Sequence, residues 1–192
     1  MRALYNLYAP LYDRLEAALA KLFWPGFSEA ALRREIASFL DLSPEDAVLE
    51  VCVGTGGNLP YIRARTGGLL VGLDISEEML RICARKVKQL GLGPVRLFLG
   101  CAEHLPFAPG TFDKVLIGGG ISYFSDPGRA LAEAARVAKE GGLIVVFEQI
   151  TILERALGKV DLPLRFLPPG LKALDRRWLF GRSFYLLKLA AR

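Results

Sequence analysis

Cysteine and histidine are scarce in this sequence: Cys52, Cys83 and Cys101 share no CxxC spacing, and His104 is the single histidine. An odd, scattered set of thiols argues against a disulfide framework and offers no zinc-ligand pattern, so no metal site is expected. Long apolar runs are missing too. The cleanest, such as Leu143 to Phe147, fall far short of the roughly 20 residues that a membrane helix needs, so no transmembrane segment is expected. Near the start, one early cation, Arg2, precedes an apolar stretch soon broken by Asp13, Arg14, Glu16 and Lys21. That makes a poor signal peptide, and the sequence reads as cytoplasmic. Asn and Gln are few (Asn6, Asn58, Gln89, Gln149), and the cations lean to Arg, a composition like that of proteins from hot habitats. Charge of one sign is modest as well. The 25 Lys and Arg exceed the 20 Asp and Glu by five, and they read as short pairs such as Arg33-Arg34 and Arg176-Arg177 instead of one run. Nucleic acid is thereby allowed but not favoured over a solvated basic surface.

What is present is an ordinary globular composition: 192 residues, 52% hydrophobic and 23% charged, enough for one domain with a core. Apolar positions at helical spacing predict a helix over 11–23, stopped by Pro25-Gly26, and a second from Ser28 to Leu40 with Ser28 as N-cap. After a turn at Ser43-Pro44-Glu45-Asp46 the grammar changes. Short apolar runs at 47–53, 69–73, 95–99, 114–117 and 143–147 read as buried strands. They alternate with helical stretches at 58–65, 76–90 (N-cap Ser76, Glu77-Glu78 in the first turn) and 126–139. Toward the end, 177–180 and 184–189 suit a hairpin around Gly181. The predicted fold is a doubly wound α/β domain, with a mostly parallel seven-stranded sheet, helices on both faces and a C-terminal antiparallel hairpin.

A buried strand that delivers Gly54-x-Gly56-Gly57 toward a helix N-terminus lets a ligand lie against bare backbone. Asp74, twenty residues after Gly54 and at the end of the next strand, is placed to accept hydrogen bonds from both hydroxyls of a ribose. A dinucleotide fingerprint would need glycine at position 59, where Leu59 stands, and no P-loop Gly-Lys-Ser/Thr occurs. Glu50, four residues before Gly54, adds negative charge that opposes a pyrophosphate and suits a cationic amino group. The loop therefore points to a nucleoside ligand with an ammonium and without phosphate.

With these residues in place, Val48-Leu49-Glu50-Val51-Cys52-Val53-Gly54-Thr55-Gly56 resembles motif I of class I S-adenosylmethionine-dependent methyltransferases. Leu73-Asp74-Ile75-Ser76-Glu77-Glu78-Met79-Leu80 resembles the ribose-binding segment of that family. Gly100-Cys101-Ala102-Glu103-His104-Leu105-Pro106-Phe107 resembles its adenine loop, and Thr111-Phe112-Asp113-Lys114-Val115 the strand before motif IV. Tyr8-Ala9-Pro10-Leu11-Tyr12-Asp13 is similar to the N-terminal lid of the ubiquinone and menaquinone methyltransferase-like group. The resemblance divides a single domain, 1–192, into N-terminal helices forming a lid (1–42), a cofactor-binding core (47–150) and a substrate-side segment with the closing hairpin (151–192).

The resemblance implies S-adenosylmethionine as cofactor, with S-adenosylhomocysteine as product. Glu50 and the backbone of Gly54 and Gly56 would hold the methionine part, Asp74 the ribose, Ile75 the adenine face, and the Ala102 backbone the adenine edge. Gly118 would face the methionine end, with Ile121 and Ser122 beside the substrate opening, and the ring of Tyr12 over the sulfonium. Cofactor contacts are likewise implied at Cys52, Asn58, Met79, Cys101 and Glu103. Two departures stand out: the family commonly has glycine at the position of Cys52 and aspartate at that of Cys101.

Methyl transfer from a sulfonium is an in-line displacement, so alignment in a dry site is the main requirement, and a base is needed only for a weakly nucleophilic acceptor. Tyr12, Ser122 and Tyr123 are the candidates for catalytic contact, and each is equally readable as packing or rim. No Asn/Asp-Pro-Pro-Tyr follows the fourth strand, and no Pro-Cys pair occurs anywhere, which disfavours DNA adenine and cytosine chemistry. The aromatics expected near the opening (Tyr5, Tyr8, Tyr12, Tyr123, Phe124, Phe166, Trp178) suit a small apolar or aromatic acceptor. RNA or protein methylation, and cofactor binding without catalysis, are the alternatives. Neither the acceptor nor the oligomeric state is legible.

Overall fold

The computed structural model describes Ala9, residues 27–150 and residues 162–191. The predicted helix at 11–23, with Tyr12, lies outside the described residues, as do Tyr5, Tyr8 and residues 151–161.

The elements run α1 (Glu29–Phe39), β1 (Val48–Val51), α2 (Leu59–Arg63), β2 (Leu70–Asp74), α3 (Glu77–Gln89), β3 (Val95–Leu99), β4 (Phe112–Gly118), a 3₁₀ turn (Ile121–Tyr123), α4 (Pro127–Val137), β5 (Ala138–Gln149), α5 (Leu162–Arg165), β6 (Leu171–Leu179) and β7 (Phe184–Ala191). Among the described residues seven strands form one sheet in the order β3-β2-β1-β4-β5-β7-β6. Strands β1 to β5 are parallel, whereas β7 runs antiparallel to both β5 and β6. The expected fold class is therefore observed.

Three helices start where the sequence places a cap. The Ser28 and Ser76 hydroxyl oxygens accept the N–H groups of Ala31 and Met79, and Asp126 Oδ1 accepts that of Arg129 at 2.9 Å. Each cap satisfies one N–H that the first turn would leave without a partner. Several boundaries differ from expectation. The helix expected at 58–65 is only Leu59–Arg63. The helix expected at 126–139 ends at Val137, because Ala138 already has extended backbone and opens β5. The first hairpin strand also begins earlier than 177, at Leu171, since its ladder to β7 extends back to Ala191.

Alternate residues of each inner strand enter opposite cores, as expected where helices cover both faces. Leu49, Val51, Val115, Ile117, Ile144 and Val146 pack with Leu131 and Ala134 of α4. Val48, Leu116, Val145 and Phe147 pack with Ile36 and Phe39 of α1, Ile62 of α2 and Cys83 of α3. The strand order reverses between β1 and β4, which opens a crevice at their carboxyl ends.

Candidate active site

Four strand ends meet at this crevice. Glu50 lies on the strand β1, one residue from its end, and is 1% exposed. Asn58, also buried, donates from Nδ2 to Glu50 Oε1 at 2.6 Å and accepts from Arg33 at 3.1 Å, so a polar chain links α1 to the tip of β1. Glu50 Oε2 is buried and has no hydrogen-bond partner among the described residues. Burial pushes the Glu50 carboxyl up to about 7, against the lowering pull of the Asn58 hydrogen bond and the Arg33 charge. Gly118 is what makes room for it, since a Cβ there would stand 2.8 Å from Glu50 Oε1.

The loop after β1 is held from both sides. Gly54 donates its N–H to Asp74 Oδ2 at 2.8 Å, and Lys86 of α3 donates to the Thr55 hydroxyl at 3.0 Å. Asp74 Oδ1 accepts the Ser76 N–H at 2.9 Å, and burial raises the Asp74 carboxyl above its ordinary range. Gly54 and Gly56 both have positive φ, +54° and +83°. A Cβ on Gly54 would meet nothing within 4 Å, leaving that backbone open, whereas one on Gly56 would lie 2.7 Å from Cys83 Sγ. Cys52 also has a left-handed φ of +60°, at the position where the family commonly has glycine. Its thiol is pushed well up by burial, then by the charges of Asp74, Glu148, Glu50 and Glu103.

Of the other expected residues, Ile75 is exposed at 40% next to Asp74, open to a flat ligand. Ala102 is buried, Cys101 Sγ lies 3.7 Å from His104 Nδ1, and Glu103 Oε1 accepts the N–H of Ser125 at 2.9 Å. Met79 and Ile121 are buried to 2% and 0%. Gly119 and Gly120 both have φ of +93° and turn the chain from β4 into the 3₁₀ turn. Ser122 there donates its N–H and hydroxyl to Glu148 Oε2 at 3.1 and 3.3 Å, while Tyr123 is 57% exposed.

Sequence reasoning missed Glu148 and Arg33. Glu148 is 5% exposed near the end of β5, and its charge acts on Cys52 together with those of Asp74 and Glu50. Its signal was available, because an acidic residue closing an apolar run is the same pattern that singled out Asp74. Arg33 carried no such signal; it reads as half of a surface pair.

Residues 48–142 match the methyltransferase domain family. The chain is 39% identical over 158 residues to a demethylmenaquinone methyltransferase of Bacillus cereus (strain B4264), covering 80% of this chain and 62% of that protein. It is 40% identical over 120 residues to the enzyme of the same name from Bacillus cytotoxicus, covering 62% of this chain and 51% of that one. The chain thus spans less than two thirds of the length of these relatives. A SAM-dependent methyltransferase from Aquifex aeolicus superposes with a TM-score of 0.75 at 20% identity, over 96% of this chain and 98% of that one. The cyclase SpnF superposes with a TM-score of 0.77 at 17% identity, over 99% and 95%. The same fold thus serves both a methyltransferase and a cyclase.

Proposed function

We propose that this protein binds S-adenosylmethionine and methylates a small apolar or aromatic acceptor, of the quinone class acted on by the Bacillus relatives. The carrying observation is the buried Glu50 oxygen with no partner among the described residues, beside a glycine loop with open backbone and Asp74 at the neighbouring strand end. A carboxylate in that position needs a cation, and the cofactor's ammonium supplies one without phosphate. The Asp74 carboxylate accepts the backbone N–H groups of Gly54 and Ser76, and its acceptor capacity of about four lone pairs leaves room for a ribose hydroxyl. When bound, the cofactor supplies an electrophilic methyl on a sulfonium and leaves as neutral S-adenosylhomocysteine. The chain's own work is to align and to exclude water: Gly118 to Gly120 leave the methionine end uncovered by side chains, and Glu148 fixes Ser122 at the acceptor side. Glu103, bonded to Ser125 and Asp126, holds the adenine-side loop on the start of α4.

Calorimetric titration with S-adenosylmethionine, S-adenosylhomocysteine and NAD, on wild type and Asp74→Asn, tests the cofactor. Binding of the first two with NAD unbound, weakened at least tenfold in the variant, is the expected result. A preference for NAD overturns it. Transfer of a labelled methyl to a demethylated quinol in detergent, faster than Asp74→Asn achieves, tests the acceptor class.

A further inference from the structure

The loop that leaves β3, residues 100–107, is fastened to α4 through its backbone. Arg129, Glu133 and Arg136 stand four and three residues apart, so their side chains share one stripe of that helix, next to the stripe of Ala130, Leu131, Ala134 and Val137 that enters the core. Arg129 Nε donates to the Glu103 carbonyl at 3.3 Å. Glu133 Oε2 accepts the Leu105 N–H at 2.9 Å. Arg136 donates from Nη2 to the Leu105 carbonyl at 2.9 Å and from Nη1 to the Phe107 carbonyl at 2.8 Å. These last two side chains are joined to each other as well, Arg136 Nε to Glu133 Oε1 at 2.7 Å and Nη2 to Glu133 Oε2 at 2.8 Å. The Arg136 hydrogen bond holds the Glu133 carboxyl below its ordinary range, so the pair is ionised at neutral pH.

Four backbone groups between Glu103 and Phe107 thus have helix side chains as partners, where a surface loop ordinarily bonds to water. Apolar contacts add to the tether: Leu105 is buried in the α4-side core, and the Phe107 ring meets Phe112 edge-on at 5.2 Å. At the other end of the loop, Gly100 donates its N–H to the Asp74 carbonyl at 3.0 Å, so the same segment is tied to the residue assigned to the ribose.

What the loop offers a base is mainly backbone. Cys101 Sγ lies 3.7 Å from His104 Nδ1, and the Cys101 carbonyl accepts the His104 N–H at 3.3 Å. A thiol is a weak donor and a weak acceptor. Glu103 Oε1 accepts the N–H groups of Ser125 and Asp126, which turns that carboxylate to the start of α4. Adenine presents an acceptor at N1 and a donor at its exocyclic amine, whereas hypoxanthine presents a donor and an acceptor in the same two places. A backbone N–H and C=O held rigidly suit one order and oppose the other; a loop able to shift can present either.

We propose that the Arg129, Glu133 and Arg136 stripe of α4 sets the specificity for adenine, by holding the 100–107 backbone in the one position that reads the base. The three are positioning residues, acting through the loop. The proposal rests on the S-adenosylmethionine reading above.

The test is calorimetric titration with S-adenosylhomocysteine and S-inosylhomocysteine, which differ only at the base edge. Wild type is expected to prefer the adenosyl compound about a hundredfold, since two opposed hydrogen-bond partners cost about tenfold each. Arg136→Lys keeps the charge but cannot reach two carbonyls at once, and lowers the preference to about tenfold. Glu133→Gln/Arg136→Met lowers it to about threefold. Thermal unfolding checks that each variant is folded at the temperature of titration, and Arg136→Lys, the milder change, carries the test should the double variant not fold. Asp74→Asn, in contrast, weakens both compounds by the same factor and keeps the preference, which separates reading the base from holding the ribose. A wild-type preference retained by folded Arg136→Lys, or a loss of both compounds in equal proportion there, overturns the proposal. So does wild type that binds S-adenosylhomocysteine and S-inosylhomocysteine alike. In those outcomes S-adenosylhomocysteine still binds wild type; if wild type binds neither compound, the cofactor reading itself fails and the proposal falls with it.

Discussion

Strands β1 and β6 belong to one sheet, yet all four residues of β1 are buried while Lys172 to Arg177 of β6 are all exposed. Around β1 the backbone and side chains are tied to particular neighbours: Gly54 to Asp74, Asn58 to Glu50, Gly118 to the space beside Glu50. Around the β6–β7 turn, Phe180, Gly181 and Arg182 all have positive φ, and a Cβ on Gly181 would meet nothing within 4 Å. The inner tip is specified by close contact and buried charge, whereas the outer turn is marked by three consecutive residues with positive φ. Identical changes should therefore have unequal consequences in the two places.

The largest contrast is between Gly56→Ala and Gly181→Ala. At Gly56 the new side chain meets Cys83 Sγ at 2.7 Å and Leu59 Cδ1 at 3.1 Å, with φ at +83°. Strain and overpacking together cost about 4 kcal/mol. At Gly181, with φ at +63° and open space, only the backbone term of about 1 kcal/mol applies. Urea unfolding of both variants measures this; equal losses would show that the inner tip is no more tightly specified than the outer turn.

Glu50→Gln sharpens the electrostatic side. A carboxyl whose folded value is raised to about 7 from an ordinary 4.5 binds more protons folded than unfolded between those values. Its contribution to stability is thus greatest at acidic pH, and is lost as pH rises through about 7. From pH 4 to pH 8 the loss is about 3 kcal/mol for this group. In Glu50→Gln that part of the slope disappears, so the variant gains on wild type as pH rises while losing cofactor affinity. Unfolding free energies of both proteins at the two pH values decide it; parallel profiles would refute the burial cause. A smaller effect follows at Arg33→Met, which removes the cation linked through Asn58. The Glu50 midpoint moves up, and S-adenosylmethionine binding weakens near pH 7 while holding at pH 9, as pH-dependent calorimetry would show.

The same contrast explains what the sequence revealed. The inner strands and their caps were legible because each leaves a local signature: an apolar run, Ser28, Ser76 or Asp126 before a helix, glycines where φ is positive. Gly54, Gly56, Glu50 and Asp74 were readable as a cradle for that reason, and the structure brings them together. Arg33 was not readable, because its role depends on α1 folding over the glycine loop, a contact 25 residues distant in sequence. The start of β6 escaped notice because Leu171 to Asp175 is strand only through its pairing with β7, interrupted by a register shift between Ala173 and Asp175. An exposed outer strand lacks the apolar run that announces an inner one.

The smallest effect concerns Cys52, where the inner tip itself has an outer-type feature, a non-glycine residue with φ of +60°. Replacing it by glycine changes two things at once, the thiol and the backbone preference. Cys52→Ala removes only the thiol, so the difference between the two variants isolates the backbone. Alanine retains the left-handed penalty and glycine does not, which favours Cys52→Gly over Cys52→Ala by about 1 kcal/mol even after the greater freedom of glycine in the unfolded chain. Thermal unfolding of the pair gives the sign. A more stable alanine variant would mean that the loop relaxes out of the left-handed region. Tighter S-adenosylmethionine binding in Cys52→Gly than in Cys52→Ala would show further that the backbone at this position, and not the sulfur, governs how closely the cofactor approaches.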